Sequence, residues 1–141
     1  MGQLAEACER EIASRPPGKM STGDAVKHAD WAEKTRSMTL QSAIEYAFAK
    51  LPPRYYESSV IRAIFHHPGI AYSELVREHG SEDAALVLGH CVYDRYGYFR
   101  HWTDGLARMS DVLFARDDSE GRVRYCLTKE ATEAFSALRM I

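Results

Sequence analysis

The sequence predicts a mainly helical α+β fold, in which a run of short helices is followed by one β-hairpin and a closing helix. Three observations carry that prediction. Apolar residues recur at helical spacing in successive segments between Leu4 and Val92. Two short segments with apolar alternation, Val112-Leu113-Phe114-Ala115-Arg116 and Arg122-Val123-Arg124-Tyr125-Cys126-Leu127, flank the turn Asp117-Asp118-Ser119-Glu120-Gly121. Thr128 then opens a final stripe of Ala131, Ala134, Phe135, Leu138 and Ile141. A chain of 141 residues with 45% hydrophobic content can bury one ordinary core. The expected organisation is a helical extension over residues 1–38 and one domain over 39–141.

Each element has its own local reason. Leu4, Ala5, Cys8 and Ile12 fall on one helical face, and Ser14-Arg15-Pro16-Pro17-Gly18 ends that helix. Ser21-Thr22-Gly23-Asp24 has the form of a capping box before Ala25, Val26, Ala29 and Ala32, with Trp31 near the helix end. Leu40, Ala43, Ile44, Ala47, Phe48 and Leu51 form the strongest stripe, stopped by Pro52-Pro53. Tyr56, Val60, Ile61, Ile64 and Phe65 mark a helix ending at His67-Pro68-Gly69, and Tyr72, Leu75 and Val76 a shorter one from Ala71 to His79. Gly80 supplies a left-handed turn, after which Ser81 caps a helix with Glu82 and Asp83 in its first turn. Ala85, Leu88 and Val92 make its inner stripe, and it is expected to end near Tyr96-Gly97. His101 to Ser110 carries Gly105 and little periodicity, so a loop is expected there.

Bulk chemistry narrows the function classes. The longest apolar run, Ala84 to Leu88, is far short of a membrane span, and the opening residues lack a basic region followed by an apolar one. The expectation is therefore a cytoplasmic chain with no membrane partner. Cys8, Cys91 and Cys126 are odd in number and form no C-x-x-C pair, which argues against a disulfide framework or a cysteine-rich zinc site. A net charge of −2 and a pI near 6.3 give no general pull toward nucleic acid. Thirteen of the 18 basic residues are arginine, a type suited both to phosphate and guanine contacts and to ordinary surface ion pairs.

From about Arg54 to Ile141, the order helix, short helix, glycine turn, helix, two-stranded hairpin and terminal helix is similar to winged helix-turn-helix DNA-binding domains. Val92-Tyr93-Asp94-Arg95-Tyr96-Gly97-Tyr98-Phe99 resembles the end of the recognition helix in MarR-like and PadR-like regulators. Arg122-Val123-Arg124-Tyr125-Cys126-Leu127-Thr128-Lys129-Glu130 resembles their second wing strand running into a helix cap. Leu51 to Glu57 with Gly69 to Leu75 is also similar to the start of sigma-factor region 4, although the C-terminal hairpin has no place in that family.

The resemblance implies a transcriptional regulator bound to double-stranded DNA, with the helix after Gly80 in the major groove and the hairpin on a neighbouring groove. His90 would then lie near bases, with Arg95, Arg116, Arg122 and Arg124 on phosphates or in the minor groove. Against it, the helix opens with Glu82 and Asp83, and the hairpin tip holds Asp117, Asp118 and Glu120, which repel a phosphate backbone. The competing expectation is a winged helix used for protein contacts inside a larger assembly. The resemblance also implies a homodimer, joined through Leu40, Ile44, Phe48, Phe135 and Leu138, unless those helices simply cover one chain's core.

Other chemistry finds little support. The six histidines lack H-x-x-x-H or H-E-x-x-H spacing, and His90 and Cys91, adjacent on a helix, do not face each other. No Walker loop, G-x-S-x-G or G-x-G-x-x-G occurs, so neither an enzyme nor a metal or other cofactor is expected. Tyr93, Tyr96, Tyr98, Phe99 and Trp102 form either a ligand pocket or stacking surface next to the hairpin, or core and hinge packing.

Overall fold

The structure, a computed structural model, describes residues 21–79 and 84–141, and the side chains among them except those of residues 78, 79 and 85. The expected first helix, the Gly80 turn and the Ser81 cap fall outside the described residues. Within them, α1 (Thr22–Thr35) begins where Ser21 Oγ accepts the Asp24 N–H at 3.1 Å. The capping hydroxyl of Thr39 likewise starts α2 (Leu40–Lys50) by accepting the Ser42 N–H at 3.2 Å. Pro52 and Pro53 separate it from α3 (Tyr55–His66). There follow β1 (Ile70–Ala71), α4 (Tyr72–His79), α5 (Ala84–Tyr93) and α6 (Tyr96–Thr103). A 3₁₀ turn (Met109–Val112), β2 (Phe114–Asp117), β3 (Arg124–Leu127) and α7 (Lys129–Ala137) complete the order. Thr128 caps α7, its Oγ1 accepting the Ala131 N–H at 3.1 Å.

The protein is thus mainly helical with a small antiparallel sheet of order β1-β3-β2. Phe114 pairs with Leu127 and Arg116 with Tyr125 across the hairpin, while Ile70 pairs with Tyr125 from the other side. The turn works as its sequence suggests. Asp117 Oδ1 accepts the Ser119 N–H at 2.9 Å, and Gly121 takes a left-handed φ of 78° that other residues rarely adopt.

Three local expectations change. Ile70 and Ala71 form a strand, where Ala71 was expected to start a helix, because their neighbours Gly69 and Tyr72 donate their N–H groups to the Tyr125 and Val123 carbonyls of the hairpin. Two residues are too few to show alternation. The β2 strand starts at Phe114, since Val112 closes the 3₁₀ turn and Leu113 caps it. The largest change is α6, which begins near Tyr96-Gly97, where the preceding helix was expected to end, and runs into the first residues of the expected 101–110 loop, while α5 itself stops at Tyr93. Tyr96, Gly97, Tyr98 and Phe99 are buried in succession before the exposed Arg100 and His101, so the helix has a single turn of buried residues, and Gly97 within that turn reads as a terminus.

Gly97 explains the crossing. A Cβ at Gly97 would lie 2.4 Å from the His28 carbonyl oxygen, so α1 packs directly on the α6 backbone there. His28 Nδ1 accepts the Gly97 N–H at 2.8 Å, Trp31 stacks on Tyr98 at 4.6 Å, and Thr35 Oγ1 donates to the Tyr98 carbonyl at 2.9 Å. The glycine that reads as a helix terminus is a contact point instead.

The proposed dimer residues also need correction. Ile44, Phe48 and Phe135 are fully enclosed within the one chain, Phe48 meeting Phe135 edge to face at 5.0 Å. Leu40 and Leu138 are half-buried against the same core. Helices α2 and α7 pack on each other, and of the side chains expected to join two subunits only Leu40 and Leu138 keep part of their surface free.

Candidate functional site: the α5 and hairpin face and the adjoining cleft

The residues expected to read DNA do not converge on one cationic surface. Helix α5 holds no lysine, arginine or carboxylate, and its polar side chains are His90, Cys91 and Tyr93. Leu88, Cys91 and Val92 of that helix are buried, while Leu86, Val87, His90 and Tyr93 are half-buried along its outer side. The His90 Nδ1 lies 3.7 Å from Asp94 Oδ1, one helical turn on.

Arg95 is an interior residue. Its side chain is 3% exposed and that of its partner Glu57 is 1% exposed, so it cannot touch a phosphate. Helix α5 ends at Tyr93, and the chain turns Arg95 inward toward two helix ends. Nε and Nη2 donate to the Leu51 carbonyl at 3.0 and 2.7 Å, and Nη1 donates to the Cys91 carbonyl at 2.8 Å. Nη1 and Nη2 also meet Glu57 Oε2 and Oε1, both at 3.4 Å. All five guanidinium N–H groups are used. The plane lies 4.0 Å from the Phe48 ring centre, and Glu57 Oε1 further accepts the Arg54 N–H at 2.8 Å. Burial, then the Glu57 carboxylate, pushes the neighbouring Cys91 thiol well above its usual range, so it stays neutral.

Sequence reasoning missed Glu57. Its signal was present: a glutamate three residues after a helix N-cap reaches back to that cap's N–H. The distant arginine that completes the pair has no such local mark.

The hairpin is electrically balanced. Between Phe114 and Leu127 it carries Arg116, Arg122 and Arg124 against Asp117, Asp118 and Glu120, so three charges of each sign cancel. Arg116 is half-buried in β2. Arg124 Nη1 donates to the Gly69 carbonyl at 3.0 Å, and its Nε lies 4.0 Å from Glu120 Oε2. Arg122 is exposed. The Ser119 backbone N–H, with its hydroxyl next, holds the exposed Asp117 carboxyl below its ordinary range, so the tip stays anionic.

Beside the Arg95 network opens a cleft of about 360 Å³. Lys27 and Trp31 of α1 form one part of its lining, and Leu51, Pro52 and Arg54 of the α2–α3 connection another. Glu57, Asp94 and Arg95 complete it. Arg54 Nη1 meets Asp94 Oδ2 at 3.0 Å and Tyr56 Oη at 3.1 Å. Tyr55, beside it, is 84% exposed.

Among the described residues no group of three or more His, Cys, Asp or Glu is arranged to hold a metal ion. No described helix is long and apolar enough to cross a membrane. Comparison of the chain with models of known protein families, with curated proteins and with solved structures finds no match.

Proposed function

We propose that this chain is a winged helix-turn-helix domain whose α5 and hairpin face docks on a protein partner. The order α3, β1, α4, α5, β2, β3 and α7, with α6 and a 3₁₀ turn inserted between α5 and β2, and the sheet order β1-β3-β2 support the winged-helix reading. The charge distribution decides what the face is suited to meet. DNA affinity comes largely from cations that neutralise phosphates, and each such contact needs an available lysine or arginine. Here α5 offers none, Arg95 is internal, and the hairpin sums to zero. That absence of cationic excess is the single observation that carries the reading. A half-buried strip of Leu86, Val87, His90 and Tyr93 suits the mixed apolar and polar chemistry of a protein interface instead.

A second reading, DNA binding, is favoured by exposed Arg122 on the hairpin and exposed Arg77 on α4. It would rest on backbone contacts and give little sequence preference. Binding to pooled random duplex DNA at about 50 and 200 mM salt separates the two. Protein docking predicts no sequence enrichment and no binding that falls steeply with salt. Binding that weakens steeply as salt rises, with or without enrichment of a motif, replaces it with the DNA reading. As a positive arm, a photo-crosslinking residue at Val87 should give a discrete polypeptide adduct in the producing cell, and the same residue at exposed Arg139 should not.

A further inference from the structure

The cleft beside the Arg95 network has a chemistry of its own and meets the α5 face only where Asp94 lies 3.7 Å from His90. Its floor is fixed. Arg95 and Glu57 satisfy one another and three backbone groups, so neither is available to a ligand and neither needs to move. Its apolar wall is also preset, because Trp31 is held flat against Tyr98 at an interplanar angle of 5°. The mouth differs. Lys27 meets Asp24 at 3.5 Å and Arg54 meets Asp94 at 3.0 Å, and both cations are about half exposed. Exposed pairs of this kind contribute little in water and exchange partners at small cost.

We propose that this cleft binds a free amino acid with an apolar side chain. Its carboxylate would lie between Arg54 and Lys27, its ammonium on Asp94, and its side chain against Trp31, Leu51 and Pro52. The balance of signs argues for a zwitterion. A simple anion would take Arg54 and leave Asp94 with only the more distant His90 imidazole at 3.7 Å, and a simple cation would take Asp94 and leave Arg54 with only the neutral Tyr56 hydroxyl. A zwitterion instead replaces the Arg54–Asp94 pair with two pairs and leaves no charge unanswered. Lys27, 5.1 Å from the centre of the Trp31 ring, already places a cation at the join of wall and mouth. The volume falls at the lower end of the roughly 300–1,000 Å³ usual for small-molecule sites, which suits a single amino acid.

The test is an NMR titration of the full chain, following the indole N–H of Trp31, assigned with Trp31→Phe. L-leucine is compared with isopentylamine, which lacks the carboxylate, and with 4-methylpentanoate, which lacks the ammonium. The expected result is a saturable shift with leucine at about millimolar concentration, and binding of both analogues at least about tenfold weaker. Arg54→Gln and Asp94→Asn should each weaken leucine about tenfold, with the thermal midpoint unchanged. Equal binding of 4-methylpentanoate overturns the zwitterion assignment. No saturable shift by about 50 mM, a concentration well beyond any useful affinity, overturns the site.

Discussion

Arg95 and Arg122 are the same residue type in two regions of the molecule, and their surroundings give them opposite roles. Beyond the end of α5, Arg95 finds a carbonyl at the end of α2, another in the last turn of α5 and a carboxylate from α3, and it is drawn inside. Arg122, next to the Gly121 turn, has no such convergence and stays in solvent. The contrast teaches that helix ends, with their unsatisfied carbonyls, can recruit an arginine that its position along the chain would assign to a binding surface.

Breaking that comparison should give the largest effect. Arg95→Ala leaves the Glu57 carboxylate buried and unpaired and should cost about 3–5 kcal/mol in urea unfolding. Arg95→Lys should recover only part, because an ammonium cannot span the same fork. Arg122→Ala should change stability by no more than about 0.5 kcal/mol. Similar losses for the two alanine variants would erase the distinction.

Phe48→Ala tests the core assignment of the α2–α7 packing. It should cost about 3–5 kcal/mol, with an unfolding midpoint independent of protein concentration. A midpoint that rises with concentration would return these helices to a subunit interface. Gly97→Ala should be milder, about 1–3 kcal/mol, because the α1 backbone must withdraw from a Cβ placed 2.4 Å from the His28 oxygen. Altered Trp31 fluorescence would report that displacement, and unchanged stability would show the crossing to be loose.

The smallest effect is a pH slope. Burial, with Lys27 next, holds the His28 imidazole below its ordinary value of 6.5. The unfolded chain therefore binds this proton more readily than the folded one, and stability should fall as pH drops below about 6.5. His28→Asn, which keeps an acceptor for the Gly97 N–H but cannot titrate, should flatten the curve in urea unfolding between pH 5 and 7. An identical slope in the variant would assign the effect elsewhere.

Much of the fold was legible because its signals are local. Ser21, Thr39 and Thr128 cap their helices through hydroxyls three residues from the N–H groups they accept, and Pro52-Pro53 stops a helix by its own covalent geometry. Less of the candidate site was legible. His90 lies on the outer side of α5 and Arg122 is exposed, as expected, but Arg124 is partly tied to the Gly69 carbonyl. Arg95 was misplaced because its partner Glu57 lies 38 residues away.

Capping, periodicity and turn chemistry act over three to five residues, so they are enough to place the described helices α1 to α5 and α7 and the hairpin to within a few residues at their ends. Only tertiary structure decided that residues 96–103 are helical, that Gly97 serves a helix crossing and that Arg95 is internal. Each of those depends on a surface supplied from far along the chain, the His28 backbone for Gly97 and the Leu51 carbonyl and Glu57 carboxylate for Arg95, which no spacing within a short segment encodes.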